Sequence, residues 1–249
     1  MARYDFRSPR LFVDEPLAAG AVLALAPPQA HYLKDVLRLK PGEAVLAFNG
    51  RDGEWQGSLE AAGKRALALR LAAQTRPQTA GSDLDYLFAP LKRARLDYLV
   101  QKAVEMGVAR LAPVITRHTQ AERVNLVRMR ANAIEAAEQC GVLRLPQIAE
   151  PAALADALTR LAPERVLVFC DEDAPTADPV AALAAAAGAR ALAVLIGPEG
   201  GFAEDERAML LARRNTVRLA LGPRILRADT AAVAALTLVQ CTLGDWRGS

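Results

Sequence analysis

The feature that most constrains this chain is an alternation that begins near residue 84 and runs to the C-terminus: an aliphatic run of strand length, a turn, then a stretch with helical periodicity. DYLFAP leads into a helix from about Lys92 to Met106, stopped by Gly107, and RLAPVIT leads into a helix from about Glu122 to Cys140, stopped by Gly141. A helix around PAALADALTRL precedes the strand RVLVFC, AALAAAAGARALA reads as a helix with its exit turn, and ALAVLIG and TVRLALG each run into a helix. Strands this continuously apolar are buried on both faces, so the alternation predicts an α/β domain built on a mostly parallel sheet. Ligands of such sheets sit at the C-terminal ends of the strands.

Residues 10 to 75 keep a different rhythm, with strand-length runs RLFV, AVLALAP, AVLAFNG, the segment after Arg51-Asp52-Gly53, and RALALRLAA, separated by turn signals. Such spacing predicts a small β-barrel or sandwich. The helical candidate there is AHYLKDVLRL, ended by Pro41-Gly42. RPQTAGSD combines turn formers with no apolar period, so the expected organisation is 1–75 barrel, 76–83 linker and 84–249 α/β domain.

With 249 residues, 52% hydrophobic and 24% charged, the chain is outside the disordered, collagen-like and disulfide-scaffold classes. Its apolar runs are too short to predict a membrane span, and MARYDFRSPR lacks the apolar stretch of a secretory signal, so a cytoplasmic protein is expected. Cys140, Cys170 and Cys241 are odd in number and widely spaced, which fits buried reduced thiols; with only His31 and His118 beside them, no metal site is expected. His31, Trp55 and Trp246 read as packing residues.

Net charge is only +3, but its distribution is uneven. Arg3, Arg7 and Arg10 crowd the start, and between Lys92 and Arg144 ten basic residues face five carboxylates. Brought together, these stretches would form a surface for an anionic ligand. Arg128 and Arg130 lie mid-helix and read as a solvated face.

Two turns carry the chemistry. ALAVLI runs into Gly197-Pro198-Glu199-Gly200-Gly201-Phe202, and the following helix opens with Glu204, Asp205 and Glu206. A glycine-rich strand-to-helix turn lets a ligand approach the backbone, but these acids repel a pyrophosphate and favour hydroxyls or positive charge. The spacing matches neither dinucleotide-binding nor P-loop patterns. TVRLAL likewise ends in Gly222-Pro223-Arg224-Ile225-Leu226-Arg227-Ala228-Asp229-Thr230, where Asp229 or Thr230 can cap the last helix and Arg224 and Arg227 call for an anion.

At these residues the chain resembles a known family. IGPEGGF followed by LGPRILRADTA is similar to the signature of the RsmE family, bacterial methyltransferases of the SPOUT superfamily that methylate N3 of a uridine in 16S ribosomal RNA. The resemblance extends to the early Arg-Leu-Phe, HYLKDVLRLKPGE, LKRARLDYLVQKAVEMGV, the arginine after VIT, and AAEQCG. It implies an N-terminal PUA-like RNA-binding β-barrel and a C-terminal α/β domain whose end is threaded into a trefoil knot. It implies S-adenosylmethionine as cofactor, held by Gly197, Glu199, Gly200 and Gly201 on one side and by Leu221, Gly222, Ile225, Leu226 and Arg227 on the other. It implies a homodimer acting on 16S rRNA or the small ribosomal subunit. Two positions depart from the family pattern: Ala228-Asp229-Thr230 stands where Thr-Glu-Thr is common, and Val142 where an arginine is common.

Methyl transfer to N3 requires loss of its proton. Arg227 is the expected stabiliser of negative charge on the uracil carbonyls, and Asp229 its positioning group or the base. The RNA contacts expected are Arg3, Arg7, Arg10, Lys92, Arg93, Arg95, Arg117 and Arg123, with His118 beside them. Of the rival readings, a nucleotide-dependent oxidoreductase would need its glycine-rich loop on the first strand. A non-catalytic RNA-binding protein would have no use for two glycine-rich strand ends.

Overall fold

The computed structural model describes residues 7–63, 66–120, 123–175 and 178–247, so Arg3 lies outside the described residues. Contacts divide the chain into two units, residues 1–80 with 137–145, and residues 81–136 with 146–249. The return of residues 137–145 to the first unit leaves no mark in strand or helix periodicity.

The first unit holds β1 (Arg10–Phe12), β2 (Val22–Ala24), α1 (Pro27–His31), β3 (Ala44–Phe48), β4 (Glu54–Ala61) and β5 (Leu67–Arg76). The strands join in the order β1-β3-β4-β5-β2, with β1 parallel to β3 and the remaining pairs antiparallel. Leu11, Leu23, Leu33, Val45, Ala47, Leu59, Leu69 and Leu71 form its core. The predicted helix starts earlier than its apolar period, because Pro27 and Pro28 preset the first turn, and it widens into a π-helical turn at Tyr32–Val36. His31 is not a packing residue: its exposed ring pairs with Asp35 at 2.7 Å.

Arg10 and Glu54 are buried in this unit, and burial of two charges demands mutual pairing. Arg10 Nε donates to Glu54 Oε2 at 2.7 Å, and Arg76 donates to both Glu54 oxygens at 2.6 and 2.9 Å. The rest of the Arg10 guanidinium faces carbonyls at Ala137, Glu138 and Val142, and lies 4.3 Å above the Phe48 ring. Burial alone would raise the Glu54 pKa, but hydrogen bonds and charge from Arg76 and Arg10 outweigh it and hold the carboxyl below its ordinary value.

The second unit holds β6 (Asp83–Phe88), α2 (Arg93–Glu105), β7 (Arg110–Ile115), α3 (Leu126–Cys140, whose last turn belongs to the first unit), β8 (Gln147–Ile148), β9 (Ala152–Ala153), α4 (Leu154–Arg160), β10 (Val166–Cys170), α5 (Pro179–Ala184), β11 (Ala191–Ile196), α6 (Glu204–Ala212), β12 (Thr216–Leu219) and α7 (Ala228–Thr242). The sheet order is β12-β10-β11-β6-β7-β8, with β9 also on β7, and every pair is parallel. Strand side chains alternate between faces. Leu87, Leu167, Phe169, Ala193 and Leu195 pack with Leu154 and Leu158 of α4 and Leu210 of α6, while α7 lies against β11, α2 and α5. The apolar runs therefore become strands covered on both sides, as the alternation predicts. β8 and β9, two residues each, are too short to leave a period in the sequence.

The thiol expectation needs correction. Cys140 and Cys241 are exposed; Cys170 alone is largely covered, and burial, with the neighbouring Asp171 charge, pushes its pKa up to about 12. Trp55 packs on the first core, whereas Trp246 is 44% exposed.

Candidate active site

β6 and β11 are hydrogen-bonded neighbours, yet the chain leaves β6 toward β7 on one side and leaves β11 toward β12 on the other. Diverging exits from adjacent strands open a crevice at their C-terminal ends. A depression of about 870 Å³ lies there, lined by Pro90, Lys92, Arg93, Gln120, Arg123 and Glu199 among others. A second, of about 790 Å³, shares Leu91, Arg93 and Arg123 and reaches Asp97 and Val127. Lys92, Arg93 and Arg123 are exposed, and their side chains form no hydrogen bond or ion pair among the described residues. Three unneutralised cations in one concave surface favour an anion.

The other expected RNA contacts divide differently. Arg7 is exposed, and Arg10 is withdrawn from solvent into the Glu54 pair, so it is a structural cation rather than a phosphate contact. Arg95 pairs with Glu199, tying α2 to the β11–α6 turn. Arg117 ties the β7–α3 loop to α6: its backbone N–H donates to Glu206 Oε1 at 2.8 Å and its guanidinium to Asp205 Oδ2 at 2.7 Å. His118 Nδ1 lies 3.1 Å from both the Gly200 and Gly201 carbonyl oxygens. Arg128 is exposed as expected, but it also holds Asp97 at 2.5 Å and, aided by Asn132 against burial, keeps that carboxyl below its usual range.

The glycine-rich turn has local causes. A Cβ at Gly197 would stand 2.5 Å from the Phe202 ring, which packs edge-on against Phe169 at 5.3 Å. Gly201 takes φ +70 and donates its N–H to the Pro198 carbonyl at 2.9 Å, a backbone conformation that favours glycine. Glu206 Oε2 accepts from the Ala203 N–H at 3.0 Å, fixing where α6 begins.

The β12–α7 loop sits at the same edge, on the far side of β10. Gly222 has φ +97; Ile225 is 90% exposed; Leu221 and Leu226 are partly buried. Arg224 and Arg227 are exposed, and their guanidinium groups have no hydrogen-bond or ion-pair partner among the described residues. Neither Asp229 nor Thr230 is the cap: Arg227 occupies the N-cap with no side-chain bond, and Asp229, within the first turn, accepts from the Thr230 N–H at 2.9 Å.

Behind that helix start lies a group the sequence did not single out. The Tyr86 hydroxyl is buried without a hydrogen-bond partner among the described residues, and burial, with the charges of Cys170 and Asp229, pushes its pKa well above the phenol range. The ring stacks on Phe88 at 5.1 Å. Asp171 is also buried, and its charge is satisfied by Arg207 at 2.9 Å and Arg218 at 2.7 Å. Among the described residues no cluster of three His, Cys, Asp or Glu side chains is placed to hold a metal ion, and no helix is long and apolar enough to cross a membrane.

The residues present suit a small molecule that combines an apolar base, hydroxyls and a positive charge. Ile225, Leu221 and Leu226 offer apolar surface, the two turns offer backbone groups unshielded by side chains, and Glu199 offers a carboxylate already engaged by one cation, Arg95.

Comparison with known proteins defines the class. Residues 78–240 match the RNA methyltransferase domain family and residues 25–72 the PUA domain of RNA methyltransferases. A relative in Rickettsia conorii, ribosomal RNA small subunit methyltransferase E, is 32% identical over 232 residues, covering 93% of this chain and 94% of the relative. The chain belongs to the family of ribosomal RNA small subunit methyltransferase E. Among solved structures, ribosomal RNA small subunit methyltransferase E of Neisseria gonorrhoeae bound to S-adenosyl methionine is 25% identical with a TM-score of 0.84, covering 96% of this chain and 100% of that one. A Legionella pneumophila protein described as a methyltransferase, with bound cofactor SAM, is 29% identical with a TM-score of 0.82, covering 96% and 99%.

Proposed function

We propose that this protein is an S-adenosylmethionine-dependent methyltransferase that methylates N3 of a uridine in the 16S rRNA of the small ribosomal subunit. The observation that carries this reading is the pairing of two glycine-rich strand ends with a basic crevice at the switch point of a parallel sheet. Family membership and the S-adenosyl methionine bound by the Neisseria gonorrhoeae relative support it.

Gly197, Glu199, Gly200 and Gly201, with Leu221, Gly222, Ile225, Leu226 and Arg227, are assigned to the cofactor. S-adenosylmethionine supplies an electrophilic methyl group on a sulfonium. The chain's own residues must orient the uracil and manage the N3 proton. Arg227, whose guanidinium has no partner among the described residues, is assigned to the uracil carbonyls, where developing negative charge meets a guanidinium. Asp229, half-buried beside it at the start of α7, positions that guanidinium or accepts the proton. Lys92, Arg93 and Arg123 bind phosphates, with Arg95 and Arg117 bordering the same surface; Arg7 is assigned a phosphate contact of its own on the first unit. Pairing occupies N3, so the target base must be exposed or flipped before reaction.

The reading includes a PUA-like RNA-binding unit over residues 1–75, a linker at 76–83, a methyltransferase unit over 84–249 with a knotted end, a homodimer, and a cytoplasmic site of action. Its test is to incubate the protein with methyl-labelled S-adenosylmethionine and small subunits lacking their uridine methylation. Label in the RNA is expected. Absence of transfer together with absence of donor binding by calorimetry would favour an RNA-binding protein without catalytic activity.

A further inference from the structure

We infer that His118 is a positioning residue for the methyl donor: its ring, through Nδ1–H, fixes two successive peptide planes of the glycine-rich turn and so aims the Phe202 amide at the bound donor. The inference rests on the function proposed above. Carbonyl oxygens only accept, so the single ring atom that faces both the Gly200 and the Gly201 oxygens at 3.1 Å must carry the proton. A neutral imidazole satisfies this only as the Nδ1–H tautomer, which leaves Nε2 as an acceptor.

A trans peptide sets its N–H opposite its C=O. With the Gly200 and Gly201 carbonyls turned toward His118, the N–H groups of Gly201 and Phe202 point away from it. The Gly201 N–H is taken by the Pro198 carbonyl at 2.9 Å, whereas the Phe202 N–H meets no backbone acceptor among the described residues. That amide is a donor held in direction and free for a ligand.

The ring lies against the same turn: a Cβ at Gly200 would meet the His118 Cβ at 3.4 Å, Cγ at 3.8 Å and Nδ1 at 3.9 Å, ordinary contact distances, so the histidine does not depend on a glycine there. The neighbouring Arg117 contacts to Asp205 and Glu206 anchor the β7–α3 loop from which His118 projects.

The test compares the wild type with His118→Ala and His118→Asn. Donor binding is read by calorimetry with S-adenosylmethionine and S-adenosylhomocysteine, and the ring tautomer by ¹⁵N NMR. The expected result is an Nδ1-protonated ring at neutral pH and a Kd and donor KM raised about five-fold in His118→Ala, the worth of one ordinary hydrogen bond, with kcat changed less than about two-fold. His118→Asn, whose amide N–H occupies a similar branch, recovers most of the affinity. Unchanged donor affinity in His118→Ala, an Asn variant as weak as Ala, or a proton found on Nε2 would overturn the assignment. A wild type that binds neither ligand while its ring is Nδ1-protonated would instead overturn the proposed function.

Discussion

Replacing Glu54 by alanine strips the charge that neutralises two arginines in the first unit. Arg10 and Glu54 side chains are each 5% exposed and Arg76 17%, so solvent cannot take the place of the lost carboxylate. Breaking a buried pair by removing one partner costs about 3–5 kcal/mol. Here the Arg10 guanidinium keeps the carbonyls of Ala137, Glu138 and Val142, which places Glu54→Ala at the lower end, about 3 kcal/mol. With a urea slope of about 1–3 kcal/mol per molar, the midpoint falls by roughly 1–3 M. In a Trp246→Phe background Trp55 becomes the sole tryptophan and reports on this unit. The double replacement Arg10→Met, Glu54→Ala costs less than the two single replacements added together, because Arg10 no longer faces an empty carboxylate position, although Arg76 still loses its partner. Acid acts in the same direction: the folded carboxyl binds fewer protons than the unfolded one just below its ordinary value of 4.5, so the pair's contribution is complete above that pH and is lost as pH falls through the lowered folded value. A loss below about 1 kcal/mol in Glu54→Ala, or an unchanged acid transition, would refute the reasoning. Arg10→Met should also leave the salt dependence of RNA binding unchanged.

Other predictions read the second unit. Cys170 resists ionisation in the fold up to about pH 12 against an ordinary value of 9.0, so the unfolded chain releases the proton first and stability falls between those values, by up to about 1.4 kcal/mol per pH unit; Cys170→Ala flattens that loss in alkaline denaturation curves. Tyr86→Phe removes a buried hydroxyl that has no partner among the described residues and should be neutral or stabilising by up to about 1 kcal/mol in thermal melts. Arg227→Ala should lower kcat about a hundred-fold, a larger loss than any weakening of donor binding by calorimetry. Replacing Lys92, Arg93 and Arg123 together by alanine should reduce the slope of log K against log salt for RNA by about two, at roughly 0.7 per phosphate contact.

Much of this was legible before any coordinates. The aliphatic runs became β6, β7, β10, β11 and β12 because uninterrupted apolar strands need helices on both faces, and the two Gly-Pro turns fell at the strand ends where parallel sheets bind ligands. What escaped depends on distant pairing. Arg10 reads as one of three N-terminal cations until β3, β4 and the end of α3 close around it. Asp229 looks like a cap, yet the backbone turns helical at Ala228, so Arg227 takes the cap position. Nothing in a lone histidine announces that its ring nitrogen will face two glycine carbonyls 82 and 83 residues away, and a tyrosine in an apolar strand gives no sign that its hydroxyl will lie buried without a partner.

The central claim is a chemical one, transfer of a methyl group to a defined atom of a uridine. It is tested most directly by digesting RNA from labelled small subunits to nucleosides and identifying the methylated product by mass and retention. The account predicts label in 3-methyluridine, present with wild-type protein and nearly lost with Arg227→Ala. Label in 5-methyluridine, a 2′-O-methylated nucleoside or a methylated base other than uracil would contradict it.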